Sequence, residues 1–322
     1  MPKSLPADTW ENLFYPPPEY VYFENSEDFD FEPDATEFSW KNAWWLADAA
    51  LLAYVKVWKD VEAILKGSGR FQAAKAIGEK APSTRGFLAF RSAPSPFAVV
   101  AFRGTDKDDR LNTVTDVKAI PISRDGYIAH KGFLEALDQV WDEISQALAE
   151  FLKSHPGAPV YFTGHSLGAA LATIAAARFK GGNSVLYTIG SPRVGDDKFV
   201  AAVEHNARLK FRFVNAGEIV TQVPPDVPLG HYRHVGVEKY IDRNGVIHDG
   251  VSNLFRLTDF GNGVRDHGGA SVLRAIADLP QAILAALSAL KREKLVDPPP
   301  YIVGNHTPAR YAIHIWNHYS GR

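Results

Sequence analysis

The sequence predicts an α/β fold, a mainly parallel sheet with helices on both faces. Three observations carry that prediction. Strand-like and helix-like segments alternate between about residue 86 and residue 214, and such alternation builds parallel sheets covered on both sides. Val160–Thr163 reads as a short strand that can only be buried, followed at once by a helix of small residues. The chain has 322 residues, of which 46% are hydrophobic and 22% charged, ample apolar material for one large folded unit and far from a disordered composition.

The elements follow in order. Ala43–Leu65 carries Trp44, Ala47, Leu51, Tyr54, Val55, Trp58, Val61, Ile64 and Leu65 at three- and four-residue spacings, which predicts one amphipathic helix. Gly86–Phe90 and Phe97–Phe102 read as strands, and Phe133–Phe151 as a helix. Next come the strand Val160–Thr163, the helix Leu167–Phe179, the strand Val185–Ile189, the helix Phe199–His205 and the strand Leu209–Val214. After Pro224-Pro225 the alternation stops. His231–Ile241 is strand-like, 242–266 is glycine-rich and irregular, and Ser271–Lys291 has an aliphatic stripe at helical spacing. Thr307–Trp316 closes the series as a last helix. The division is an acidic N-terminal arm, 1–40, and one domain, 41–322, with an insertion at about 242–300.

The formal charge of -2 conceals an asymmetry. Residues 1–40 hold Lys3 against ten acids, a net of -9, which leaves 34 bases and 27 acids, a net of +7, for the rest. The acidic segment, with Phe23, Phe29, Phe31 and Phe38 among its carboxylates, reads as an arm folded on a basic body. Shielding by that arm predicts that deleting 1–40 strengthens binding to anionic vesicles. A pI near 6.6 gives no global attraction to nucleic acid. With no cysteine, disulfides, thiol nucleophiles and thiolate metal sites are excluded, and the compartment stays open. No signal-peptide pattern opens the chain, so the expected location is the cytoplasm, or outside the cell by another route. Its longest aliphatic stretch, Leu167–Ala177, is well short of the roughly 18 residues of a membrane span. Oligomeric state is open.

The string that carries chemistry is Gly164-His165-Ser166-Leu167-Gly168, a G-x-S-x-G between a short strand and a small-residue helix. A sharp strand-to-helix turn lifts a serine hydroxyl clear of the backbone, and the flanking glycines leave room for it. A serine needs an imidazole to take its proton and a carboxylate to hold that imidazole, both later in the chain if the order is that of an α/β-hydrolase.

Further motifs stand in register with that turn. Ala43–Tyr54, Val99-Val-Ala-Phe-Arg-Gly-Thr105, His130-Lys-Gly-Phe133, Gly190-Ser-Pro-Arg-Val-Gly195 and Val214–Pro225 together resemble the class 3, fungal-type lipase family of α/β-hydrolases. The resemblance runs from about 43 to 236 and resumes near 303. It implies the α/β-hydrolase fold, and the stretch it leaves uncovered holds the helical insertion expected before the last helix. It also implies a nucleophile at Ser166 and an oxyanion hole at Thr105 and Leu167. Glu218 stands where the family usually has aspartate; its extra methylene moves the carboxylate by about 1.5 Å, for which the loop must compensate. Asp226 is the rival acid. His306, in a loop followed by Pro308 and Tyr311, matches the base motif, with His267 as runner-up. His231 and His234 read as structural strand histidines. His165 is expected to pack behind the turn, His130 to fix a helix start by a hydrogen bond, and Asp196 to cap a helix. Asp116 matches a family aspartate with a structural role.

No histidine and carboxylate set has metal-ligand spacing, so no metal and no cofactor is expected. The lid segment, Thr105–Pro121, is polar, which weakens the case for interfacial activation. Ser271–Lys291, ending in Lys291, Arg292 and Lys294, is read as a helix packed on the core, or alternatively a cap or transient lipid-interface contact. The implied function is a lipase-like serine ester hydrolase, Ser166 carrying the acyl-enzyme, with a small-molecule or lipid ester as its partner. The alternatives are a catalytically silent binding protein of the same fold and an acyltransferase using the same serine.

Overall fold

A computed structural model of the chain describes residues 2–7, 9–16, 19–81, 84–105, 120–218, 220–224, 232–266 and 304–321. An eight-stranded sheet runs through the middle in the order β1 (Ala73–Ile77), β2 (Gly86–Arg91), β3 (Phe97–Phe102), β6 (Val160–His165), β7 (Ser184–Ile189), β8 (Ala207–Asn215), β9 (Val237–Ile241) and β10 (Ile247–Asp249). From β3 to β9 every pairing is parallel, while β1, β2 and β10 run antiparallel to their neighbours. This is the predicted α/β-hydrolase architecture.

Alternation along the central strands shows why both faces must be covered. Phe97, Val99 and Ala101 of β3 enter one core with Tyr161 and Tyr187; Ala98, Val100 and Phe102 enter the other with Val160 and Phe162. The first core is closed by α2 (Trp40–Leu52) and α9 (Pro308–Ser320), whose Trp44, Trp45 and Trp316 are almost wholly buried. The second is closed by α4 (Lys131–Asp138), α5 (Trp141–Ser154), α6 (Leu167–Arg178) and α7 (Asp197–Asn206). No helix among the described residues is long and apolar enough to cross a membrane.

The acidic segment is built into the first core. Phe31 stacks on Phe97 at 4.5 Å and meets Tyr161 edge-on at 4.7 Å, and Phe38 packs on Phe211 at 4.9 Å. Asp48 of α2, fully buried, accepts hydrogen bonds from the Tyr20 hydroxyl (2.6 Å) and the Phe23 N–H (2.8 Å). Each buried phenylalanine contributes about 1.5 to 3 kcal/mol. The segment is thus packed on the body, as expected, and deleting 1–40 would remove part of the core along with the arm's charge. Before the core-packed stretch lies a short helix, α1 (Trp10–Phe14), capped by Thr9.

Other expectations change in detail. The stretch 43–65 is two helices, α2 and α3 (Trp58–Lys66), separated by a turn at Ala53–Val57. Its halves meet different surroundings: α2 is buried from Asn42 to Leu52, whereas α3 buries only Val61 and Leu65. The stretch 133–151 likewise breaks between α4 and α5, at Val140, whose side chain packs inward. Among the described residues of 231–241, the strand is β9 alone. The glycine-rich 242–266 is ordered: Asp242 accepts the N–H groups of Asn244 and Val246 at 2.9 Å to close the β9–β10 hairpin, and α8 (Asn253–Asp266) follows. A second small sheet, β4 (Pro121–Arg124) with β5 (Tyr127–His130), turns on Asp125-Gly126, both at positive φ, a hairpin signature that the helix-and-strand reading passed over. The helix expected at 271–291, the polar segment 106–119 with Asp116, and Asp226, His231 and His267 lie outside the described residues.

Candidate active site

The three residues expected to form a triad stand beyond the C-terminal ends of neighbouring strands. Ser166 follows β6 and is the N-cap of α6, with φ 59° and ψ -126°. A non-glycine residue held there costs about 1 to 3 kcal/mol, and the surroundings enforce it. Its N–H donates to the Ile189 carbonyl of β7 at 3.0 Å. A Cβ on Gly164 would lie 2.4 Å from the Gly168 backbone, and one on Gly168 would lie 2.2 Å from the Phe102 carbonyl oxygen. Both flanking glycines are thus required for α6 to leave the sheet so steeply.

Glu218 sits in the loop after β8, reached through Gly217 at φ +69°. Its carboxylate is buried and each oxygen has a defined partner. Oε1 accepts from the Thr221 N–H at 3.2 Å. Oε2 lies 3.0 Å from His306 Nδ1 and also accepts a short hydrogen bond from the Tyr311 hydroxyl. Tyr311 in turn accepts the Asn215 N–H at 2.8 Å. Burial first, and the charge of Glu218 second, push the Tyr311 hydroxyl far above the ordinary range, so it remains a donor.

His306 precedes α9 on a short loop that is tied to the acid loop by a reciprocal amide pair. Asn215 Nδ2 donates to the Asn305 carbonyl (2.8 Å), and Asn305 Nδ2 to the Ala216 carbonyl (2.9 Å). With Nδ1 facing a carboxylate, Nδ1 carries the proton and Nε2 is the basic nitrogen. The His306 ring lies 4.5 Å from that of His165, the residue before Ser166. Gly190, at φ +57°, makes room for this arrangement: a Cβ there would fall 2.9 Å from His306 Nδ1 and Cε1 and 3.2 Å from Glu218 Oε2.

Thr105 follows Gly104 at the end of β3, and Leu167 opens α6. Gly104 packs so closely that a Cβ would stand 3.1 Å from Ser166 Cβ, 2.5 Å from the His165 carbonyl oxygen and 2.2 Å from the Tyr54 hydroxyl. His165 is wholly buried, its Nδ1 2.8 Å from that hydroxyl. The structure thus brings Thr105, Leu167, Ser166, Glu218 and His306 to one end of the sheet. Tyr54, Gly190 and Tyr311 belong there too. They occur in the quoted motifs, but no spacing announces what they touch.

Two histidines need comment. His130 is the N-cap residue of α4 yet makes no capping hydrogen bond, and neither ring nitrogen has a partner among the described residues, which corrects the expected role. It stacks instead on Phe133 at 4.0 Å, and burial lowers its pKa to about 4. His234 lies outside β9 and its Nε2 contacts the Thr221 carbonyl at 2.8 Å. Burial, then Arg212 and Arg193, push its pKa well down. Asp196 caps α7, accepting the Phe199 N–H at 2.8 Å.

The family described as Lipase (class 3) matches residues 99–227, the stretch from β3 through the acid loop. Secreted mono- and diacylglycerol lipase 1 of Fusarium solani is 36% identical over 152 residues, covering 47% of this chain and 45% of that protein. A lipase of Rhizomucor miehei is 35% identical over 155 residues, 45% of this chain and 42% of its own length. The chain thus spans less than half the length of these curated relatives. Among solved structures, the Rhizomucor miehei triacylglyceride lipase has a TM-score of 0.54 at 27% identity, covering 63% of this chain and 80% of that one. A mutant form of MDLA from Penicillium cyclopium also scores 0.54, at 25% identity, over 69% and 88%. With the strained serine turn and the strand order already in place, these matches make the chain similar to the class 3, fungal-type lipases, whose solved structures share its α/β-hydrolase fold.

Proposed function

We propose that this chain is a serine carboxylic-ester hydrolase of lipase type, cleaving acylglycerol or related fatty-acyl esters. The observation that carries the reading is the buried His306 Nδ1 to Glu218 Oε2 contact of 3.0 Å, with the imidazole ring 4.5 Å from that of His165, the residue that precedes Ser166. Such a pair has the tautomer and the orientation a general base requires.

In this mechanism the Ser166 hydroxyl gives its proton to His306 Nε2 as its oxygen attacks the ester carbonyl carbon. Negative charge then develops on the carbonyl oxygen, and the N–H groups of Thr105 and Leu167 receive it. One such donor is worth about 3 to 4 kcal/mol of transition-state stabilisation. Collapse breaks the bond to the alcohol, which leaves with the proton from His306. Water, deprotonated by the same imidazole, then releases the acid and restores Ser166. Glu218 holds the ring and balances its transient positive charge. Because Ser166 and His306 are both buried, these dipoles act with little screening by water.

The relatives' names support a lipid ester as substrate, and mono- or diacylglycerol is the first to try. Against a silent binding protein stands the strained conformation at Ser166, which a merely structural turn has no reason to keep. The test is labelling with a fluorophosphonate at near-stoichiometric concentration, followed by turnover of nitrophenyl esters from acetyl to palmitoyl, with and without micelles. One adduct on Ser166 and preference for long chains in micelles is the expected result. No adduct overturns the enzyme reading, and preference for short soluble esters replaces lipase by esterase. Product analysis with added glycerol separates hydrolysis from acyl transfer.

A further inference from the structure

The acidic N-terminal segment reaches the site through two rings. Phe14, the last residue of α1, is fully buried and meets Tyr54 edge-on, their ring centroids 5.5 Å apart at 68°. Phe14, Tyr54 and the half-buried Tyr15 form an apolar cluster of their own, separate from the two main cores. Tyr54 leaves α2 in the turn before α3, with its hydroxyl 2.8 Å from His165 Nδ1. That same hydroxyl lies against Gly104, where a Cβ would stand 2.2 Å from it. One oxygen therefore touches the turn that presents Thr105 and the imidazole whose ring lies 4.5 Å from that of His306. Nothing in the matched stretch 99–227 supplies Phe14, or Tyr54 itself.

We infer that Phe14 is a positioning residue for the oxyanion turn, acting through Tyr54, so that the N-terminal segment is part of the working site. This rests on the ester-hydrolase reading above. Phe14 fixes the tilt of the Tyr54 ring, and the ring fixes where the hydroxyl bears on Gly104 and His165. Backbone donors stabilise an oxyanion only when held to within a fraction of an ångström, and the electrostatic benefit falls steeply with misplacement.

The experiment compares Phe14→Ala, Phe14→Leu and Tyr54→Phe with the unmodified full chain. Active sites are counted by fluorophosphonate titration, so that unfolded protein drops out of the rates. In Phe14→Ala and Tyr54→Phe, kcat per titrated site should fall about tenfold to a hundredfold, with KM within about twofold. Affinity for a trifluoromethyl ketone, whose serine adduct carries the oxyanion, should fall by the same factor. Phe14→Leu, which keeps apolar bulk, should recover part of both. Phe14→Ala or Tyr54→Phe lowering the melting temperature alone, with kcat per site and ketone affinity unchanged, overturns the inference. An unmodified chain that neither labels nor turns over any ester defeats the ester-hydrolase reading instead, a different result from active variants with unshifted rates.

Discussion

His306 Nδ1 lies 3.0 Å from Glu218 Oε2, and both side chains are essentially without solvent exposure. The longer acid reaches the imidazole because its loop turns at Gly217 and is pinned by the Thr221 N–H. Glu218→Ala should lower kcat on nitrophenyl esters by on the order of ten-thousandfold, since the ring loses both its tautomer and its counter-charge. Glu218→Asp should lose about tenfold to a hundredfold, because the loop is set for the longer side chain. Unchanged turnover in the alanine variant would move the acid role to Asp226.

Tyr311 donates to the same carboxylate oxygen and accepts from the Asn215 N–H. Tyr311→Phe leaves a buried N–H and a carboxylate oxygen each short of a partner, at a cost of about 1 to 3 kcal/mol. Urea denaturation should register that loss. Turnover per titrated site should also fall about tenfold, because Glu218 is then free to rotate away from His306. A variant as stable as the parent would mean that Tyr311 carries no weight in the acid loop.

What the amino-acid order reveals and what it conceals divide along physical lines. Gly164, Ser166 and Gly168 are legible because steric demands at a strand-to-helix turn are local, and local demands leave local patterns. Glu218 and His306 are legible only through ordered motifs, 88 residues apart. Tyr54, Gly190 and Tyr311 stay hidden because their roles come from contacts across the sheet end, which no periodicity encodes. The 43–65 stretch looked continuous because its apolar spacing persists through Ala53–Val57, although Tyr54 there turns toward His165. The ordered β10 and α8 were missed for the opposite reason, since Gly245, Gly250, Gly261 and Gly263 lower helix and strand propensity without forbidding either.

Ser166 and Gly190 offer opposite strain experiments. Ser166→Gly should abolish turnover while raising stability by about 1 kcal/mol, because glycine adopts φ 59° without penalty. At this chain length that corresponds to about 2 °C in melting temperature. Gly190→Ala should add strain where Ser166→Gly removes it. It places a Cβ 2.9 Å from the ring and forces alanine to φ +57°, so both kcat and melting temperature should drop. Calorimetry beside an ester assay checks both, and a Ser166→Gly variant that melts lower than the parent would show that the turn is not strained.

His130 supplies a pH test that is independent of catalysis. Burial lowers its pKa in the folded chain to about 4, against an ordinary value near 6.5 in the unfolded one. Between those values the unfolded state binds the additional proton. The contribution of a neutral His130 is therefore fully present above about pH 6.5 and is lost progressively as the pH falls toward 4. The full span is about 3 kcal/mol. His130→Phe keeps an aromatic ring on Phe133 and leaves no partner unsatisfied, because neither imidazole nitrogen has one among the described residues. That variant should match the parent at pH 8 and exceed it at pH 5 by about 2 kcal/mol, as read from urea midpoints at the two values. Parallel pH curves for the two proteins would show that His130 is not what destabilises the fold in acid.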